Sequence, residues 1–274
     1  MLTKEMLKEA LAEFGIEKDS MLIVHSSLKA LGQIDGGAET VISALEETVP
    51  EGTLVLPTIS QKNFSTVFED WNMDRPSDVG YITEVFRLQK GSLRSDDPTH
   101  SVAARGKHAA ELVGGDIKAG PRIGRYGSYA FAHESTWERM YQSRERYGVK
   151  CYVILWGVSM HSLTFKHLVE YRFIEEVLNK ISDPVKKKEI EDGLIHYNGS
   201  SENRTWPYCH SDYLDELLKK EGISKVIKVG EGEILCADVF DLVNVAEKAF
   251  RTPPYEIVYD HAHEWYRKAL SYMD

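Results

Sequence analysis

The stretch MLIVHSSLKALGQIDGGAETVISALEETVPEGTLVLP, residues 21–57, decides the fold. Met21-Leu22-Ile23-Val24 is a short apolar run that reads as a buried strand, and it enters the polar turn His25-Ser26-Ser27. Past Asp35-Gly36-Gly37, the segment Ala38–Thr48 places Val41, Ile42 and Leu45 on one helical face. Gly52 opens a second apolar run, Thr53-Leu54-Val55-Leu56, which Pro57 ends. Strand, turn, helix and strand in this order make a βαβ unit, and with it a parallel sheet.

Upstream, Leu2, Met6, Leu7, Leu11 and Phe14 fall at helical spacing, and Gly15 supplies a stop. Downstream, residues 60–80 hold Phe64, Phe68 and Trp71 without a sustained period, which reads as a long structured loop of the kind that carries function. A helix is expected over Tyr81–Leu88, a strand around Ser101–Ala104, a helix start over Lys107–Leu112 and a loop over 114–136. Cys151–Trp156 is the strongest buried strand, and a long helix follows from about Leu163 to Lys180. Residues 184–208 alternate loosely around Asp192-Gly193, a hairpin signal, and Val226–Cys236 resembles a second hairpin about Glu231-Gly232. Helices are expected over Tyr213–Lys220, Ala237–Arg251 and His261–Tyr272, the last set off by Pro253-Pro254. With no repeat and no linker, residues 1–274 read as one domain.

At 42% apolar and 28% charged residues the chain is an ordinary globular one, which excludes collagen-like, coiled-coil and disordered classes. The balance of 33 basic against 43 acidic residues gives −10, where a nucleic-acid binder would show a basic excess. Its basic run, Lys186-Lys187-Lys188, is followed at once by Glu189, Glu191 and Asp192 and reads as a solvated face. No apolar run is long enough to cross a membrane, and the first residues lack the apolar core of a signal peptide. Cys151, Cys209 and Cys236 share no CxxC spacing, as expected of free thiols in a reducing compartment. No nucleic-acid or membrane partner is therefore expected, and the cytoplasm is the expected location.

Three segments carry candidate chemistry. In Thr164-Phe165-Lys166-His167-Leu168-Val169-Glu170, at the start of the long helix, Thr164 and His167 are neighbours on one face, as are His167 and Glu170. A carboxylate beside an imidazole fixes its tautomer and raises its basicity, which makes a general base; the bland reading is a decorative polar face. The turn from His25 to Gly37 joins a strand to a helix, where free N–H groups attract anions, or it is simply a turn and cap. Arg94–Ser101 offers a loop His and Ser that line a pocket or only satisfy the turn. Weaker candidates are His261, His263 and Glu264 as metal ligands, although i and i+2 point apart on a helix, and the pair Cys209-His210. A G-x-S-x-G elbow is absent, which disfavours that class of serine hydrolase.

Taken in order, VHSSLKALGQIDGGAETVISAL with GTLVLPT (Val24–Thr58), SDVGYITEVFR (Ser77–Arg87), RSDDPTHSVAARG (Arg94–Gly106), YGSY (Tyr126–Tyr129) and TFKHLVEYR (Thr164–Arg172) resemble the aminoglycoside 3-N-acetyltransferase family. The late stretch VGEGEILCADVFDLVNVA is similar to that family's closing strand and helix. The resemblance implies a three-layer α/β/α fold around a central mixed, largely parallel sheet, distinct from the common GNAT acetyltransferase fold. It implies acetyl-CoA as donor, with no metal, and an aminoglycoside amine (the 3-amino group of a 2-deoxystreptamine ring) as acceptor. Antibiotic resistance and a homodimer are associated expectations.

Residue by residue, Thr164, His167 and Glu170 match the family's T-x-x-H-x-x-E active-site motif. Ser26, Ser27 and Leu28, with Ser101 nearby, match the positions along the pantetheine arm of the cosubstrate. Asp70, Asp74 and Asp78 are expected to meet the amines of the acceptor. The expected mechanism is direct acyl transfer without a covalent enzyme intermediate, with His167 as general base. An amino sugar of a surface polysaccharide or secondary metabolite is the alternative acceptor. A metal-dependent hydrolase built on His261, His263 and Glu264, and a non-catalytic CoA-binding protein, are the readings from other classes.

Overall fold

The computed structural model describes residues 1–60, 71–115, 120, 122–123, 129–194 and 206–274. In chain order these form α1 (Lys4–Ala12), β1 (Met21–Ser26), α2 (Gly37–Thr48), β2 (Thr53–Pro57), α3 (Tyr81–Leu88), β3 (Leu93–Arg94), β4 (Val102–Gly106) and α4 (Ala109–Val113). Then follow α5 (Thr136–Tyr141), α6 (Ser143–Arg146), β5 (Cys151–Trp156), α7 (Phe165–Lys180) and α8 (Pro184–Asp192). The chain closes with α9 (Ser211–Lys220), β6 (Ser224–Val229), β7 (Gly232–Asp238), α10 (Val239–Phe250) and α11 (His263–Tyr272).

The strands make one seven-stranded sheet in the order β3-β4-β2-β1-β5-β7-β6, so the strand that opens the βαβ unit sits at its centre. Alternate residues of β1 go to opposite faces, as the pleat requires. Leu22 and Val24 join Leu7, Val41, Leu45 and Phe86 from α1, α2 and α3. Met21 and Ile23 join Trp137, Leu168, Phe173, Leu242 and Tyr266 from α5, α7, α10 and α11. Burial on both faces explains why β1 and β5 are continuous apolar runs. Helices on both sides complete the expected three layers.

The sheet is mixed, but the parallel part is smaller than expected. Only β1–β2 and β1–β5 run parallel, while β2–β4, β3–β4, β5–β7 and β6–β7 are antiparallel. A βαβ crossover governs only the strands it joins, and the outer strands arrive as the hairpins β3–β4 and β6–β7. Their burial pattern is the same whichever way they run.

The hairpin about Glu231-Gly232 forms, with Val229 paired to Gly232. The one expected about Asp192-Gly193 does not: its first half is helix α8, and residues 195–205 lie outside the described residues. Asp183 caps that helix, its carboxylate accepting from Val185 N and Lys186 N, with Pro184 in the first turn. Gly193 is the residue after the helix, not the apex of a hairpin. Gly157 holds the exit of β5 at φ 64°, where an added Cβ would lie 2.4 Å from the Ala30 Cβ. The chain after β5 can therefore pack against the turn after β1 only if this residue is glycine.

Candidate active site

Beyond the C-terminal ends of the parallel strands lies a cavity of about 260 Å³, where open α/β sheets place their ligands. β1 contributes His25 and Ser26, Pro57 ends β2, and Val158 with residues 161–164 follow β5. His167 from the first turns of α7, His100, and Val79 with Thr83 at the start of α3 complete the wall.

His167 is one third exposed, and its Nδ1 lies 2.9 Å from Glu170 Oε2. Glu170 is 1% exposed, and both of its oxygens are engaged. Its Oε2 also accepts from Trp206 Nε1 at 3.0 Å, and its Oε1 from the Cys209 backbone N at 2.9 Å. An ionised carboxylate only accepts, so a neutral His167 carries its proton on Nδ1 and keeps a lone pair on Nε2. The ring is held among Phe131 and His100, each at 5.9 Å between centroids, and Tyr208 at 6.3 Å. Thr164, at the head of α7, is buried on the same wall without a capping bond from its side chain.

His100 is held from behind. Asp97 Oδ1 accepts from Thr99 N, Thr99 Oγ1 and His100 N, at 2.9, 3.0 and 2.6 Å. Thr99 Oγ1 lies 2.9 Å from His100 Nδ1. Because the hydroxyl spends its proton on Asp97, it accepts from Nδ1–H, which sets the tautomer of this ring as well. Burial raises the Asp97 carboxyl.

Arg94 joins the strap of residues 71–77 to the sheet edge. Its guanidinium donates to Thr58 O at 2.7 Å, to Met73 O at 2.9 Å and to Arg75 O, and stands 4.7 Å over the Trp71 ring. Burial lowers it to about 10, which leaves it charged at neutral pH.

The structure brings Thr164, His167 and Ser26 to one cavity with Glu170 directly behind. Other expected residues stand apart from its wall. Ser27 follows β1 with its N–H on Trp156 O, and Leu28 packs on the α2 side of the core. Ser101 is buried with its Oγ on Thr58 O at 2.9 Å and within 3.2 Å of Arg94 Nε. Asp74 is exposed and Asp78 half-buried, both in or beside the strap, and Asp70 lies outside the described residues, as do Tyr126–Ser128.

Cys209 supplies a donor to Glu170, and His210 caps α9 by accepting from Tyr213 N. His263 turns its Nε2 to Val258 O at 2.8 Å. Among the described residues no group of three or more His, Cys, Asp or Glu is placed to hold a metal ion. Sequence reading missed His25 and His161 on the wall and Trp206 behind it. His25 stood in a quoted motif, whereas nothing local to Trp206 points to Glu170.

The family model of aminoglycoside 3-N-acetyltransferases matches residues 23–251, most of the chain and every element that lines the cavity. The chain belongs to the aminoglycoside 3-N-acetyltransferase family. It is therefore an acetyltransferase, an enzyme of a family tied to antibiotic resistance. Among its relatives is the SPbeta prophage-derived aminoglycoside N(3')-acetyltransferase-like protein YokD of Bacillus subtilis (strain 168). The two are 29% identical over 279 aligned positions, spanning 90% of this chain and 92% of the relative.

Two solved members share the fold. The structure of AAC-IIIb as a binary complex with CoASH has a TM-score of 0.66 at 17% identity, over 90% of this chain and 95% of that one. A variant of AAC(3)-IVa in complex with a gentamicin has a TM-score of 0.68 at 19% identity, over 99% and 97%. Among the described residues no helix is long and apolar enough to cross a membrane.

Proposed function

We propose that this chain, acting as one domain, transfers the acetyl group of acetyl-CoA to an aminoglycoside, at the 3-amino group of a 2-deoxystreptamine ring. The observation that carries the reading is the His167–Glu170 pair: a buried carboxylate fixes Nδ1, and the ring opens onto the cavity. An amine must shed a proton to become acylated. His167 accepts it at Nε2, and Glu170 stabilises the imidazolium that forms. The Thr164 hydroxyl or backbone N–H groups at the head of α7 meet the negative charge that gathers on the carbonyl oxygen. A thioester arrives already activated, so the transfer is direct and needs neither a covalent enzyme intermediate nor a metal.

The donor site fits acetyl-CoA. Ser26 Oγ on the cavity wall is buried and, among the described residues, has no partner, which suits an amide of a pantetheine arm. Ser27, Leu28 and Ser101 lie along the same edge of the sheet, and the binary complex of AAC-IIIb with CoASH supports the same donor.

A cationic acceptor is supported by the neighbouring cleft. His161 of the cavity lies 3.2 Å from Asp212, which lines that cleft with Glu216, Glu256 and Asp260. The gentamicin complex of AAC(3)-IVa points the same way. We assign Asp70, Asp74 and Asp78 to the acceptor's outer amines. An amino sugar is the second reading, favoured by Asp74, which is exposed and not part of the cavity lining. Three free, buried cysteines suit work in the cytoplasm.

Thiol release from acetyl-CoA, measured against a panel of 2-deoxystreptamine aminoglycosides and simple amino sugars, tests the acceptor. Turnover with the aminoglycosides establishes the first reading, and turnover with amino sugars alone replaces it by the second. Failure to bind acetyl-CoA at all overturns both.

A further inference from the structure

His25 is the penultimate residue of β1 and shares the cavity wall with Thr164 and His167. It is 6% exposed, and its ring stacks on Trp137 at 6.2 Å. Its Nε2 is closed off from solvent and, among the described residues, has no hydrogen-bond partner. The Oγ of Ser26, next along the strand, is in the same state. Leaving one such group unpaired costs about 1–3 kcal/mol, and native structures rarely tolerate it without a functional cause. Behind the wall Glu170, Thr99, Ser101 and Arg94 are all engaged. At the end of the central strands, by contrast, His25, Ser26 and Trp156, which pairs in register with Ser26, each keep an unpaired group among the described residues.

We propose that His25 donates a hydrogen bond to the carbonyl oxygen of the acyl thioester and stabilises the charge that gathers there during transfer. This rests on the acetyltransferase reading above and adds a second imidazole with a different task. His167 is tied to a carboxylate, which suits a base. His25 has no carboxylate partner, and burial first, then the Lys166 cation, holds it down to about 3. Lys166 is kept in place by Ser211 Oγ at 2.6 Å and His161 O at 3.1 Å.

At neutral pH His25 is therefore an uncharged ring with one N–H to donate and no tendency to take a proton from the amine. In the step itself a C–N bond forms and the C–S bond breaks. Sulfur leaves with the electron pair as thiolate, and one amine proton goes to His167. His25 gains and loses none.

The test needs no acceptor. Acetyl-CoA carrying carbon-13 at the carbonyl is titrated with wild-type protein, His25→Phe and His25→Gln, and the carbonyl resonance of the bound thioester is read. Phenylalanine keeps a ring against Trp137 without a donor, and glutamine restores an N–H at similar reach. The expected result is a downfield resonance in wild type that is lost in His25→Phe and largely recovered in His25→Gln. With the amine supplied, kcat of His25→Phe falls about 10²-fold, the usual effect of removing one such donor. Its KM for acetyl-CoA stays within roughly threefold, because the bond is weak in the bound thioester and strengthens as charge gathers on the oxygen.

A bound resonance in His25→Phe at the wild-type position, or a kcat within about threefold of wild type, overturns the assignment of His25 alone. Wild-type protein that binds no acetyl-CoA overturns the acetyltransferase reading as well. If His25→Phe does not fold, His25→Asn replaces it, since its amide is too short to reach. Equal resonances in His25→Asn and His25→Gln then count against the proposal.

Discussion

Two glutamates contact helix α7 or belong to it, each 1% exposed, and they are compensated in opposite ways. Glu138 of α5 meets two guanidinium groups, Arg122 at 2.7 Å and Arg172 of α7 also at 2.7 Å. Those arginines reach on to Glu175 and Glu247, which closes a network of charges around it. Among the described residues Glu170 meets no guanidinium. Its oxygens are filled by an indole N–H, a backbone N–H and the imidazole of His167.

A carboxylate between two cations has its charge cancelled locally and can only hold helices together. A carboxylate held by neutral donors keeps its charge available, and the proton on His167 is what it can stabilise. Burial alone does not mark a functional carboxylate; the identity of its donors does.

That contrast can be broken experimentally. The largest effect expected is on turnover. His167→Ala lowers kcat by roughly 10²–10⁴ while the protein stays folded, and near-normal turnover in steady-state assays would remove the base assignment. Next, Arg122→Met leaves Glu138 with half its compensation and costs about 3–5 kcal/mol of stability, read by denaturant unfolding. A loss no larger than that of a surface substitution would show that the network is not structural.

Glu170→Gln keeps the shape but loses the charge, and activity should fall about 10–100-fold. Its stability loss should stay below that of Arg122→Met. The reverse order in the two variants would erase the distinction between the two glutamates.

The smallest effect concerns an exposed pair. Burial opposes ionisation of Glu17, yet hydrogen bonds from Lys150 and Tyr152 bring it down to about 2 from an ordinary value of 4.5. A depressed carboxyl stabilises the fold above its unfolded pKa, and the contribution disappears as pH falls from about 4.5 toward about 2. Because the pair is nearly half exposed, Glu17→Gln should cost less than about 1 kcal/mol at pH 7. That difference should shrink with added salt and vanish in acid; a salt-independent one would mean the pair behaves as a buried one.

Much of this was legible in the linear order of residues. Thr164, His167 and Glu170 meet because three-residue spacing on a helix makes neighbours, and that follows from helical geometry alone. The strand runs of β1, β2 and β5 were visible because burial on both faces forces continuous apolar residues. The misreadings have physical causes too. Asp192-Gly193 carries the same chemistry at a helix end as at a hairpin tip, and the decisive cue lay upstream in Asp183-Pro184. The direction of β4 and β7 left no trace because inward and outward positions alternate identically in either sense.

By itself, then, the sequence determined most of the elements, the central βαβ unit and the pairing of His167 with Glu170, products of interactions between residues close along the chain. Tertiary structure alone decided what surrounds that pair. Trp206 and Cys209 reach Glu170 across 36 and 39 residues. His25 and Ser26 come to the same cavity from the central strand of the sheet, left unpaired among the described residues. Which distant group completes a hydrogen bond depends on how whole layers pack, and no local spacing encodes that.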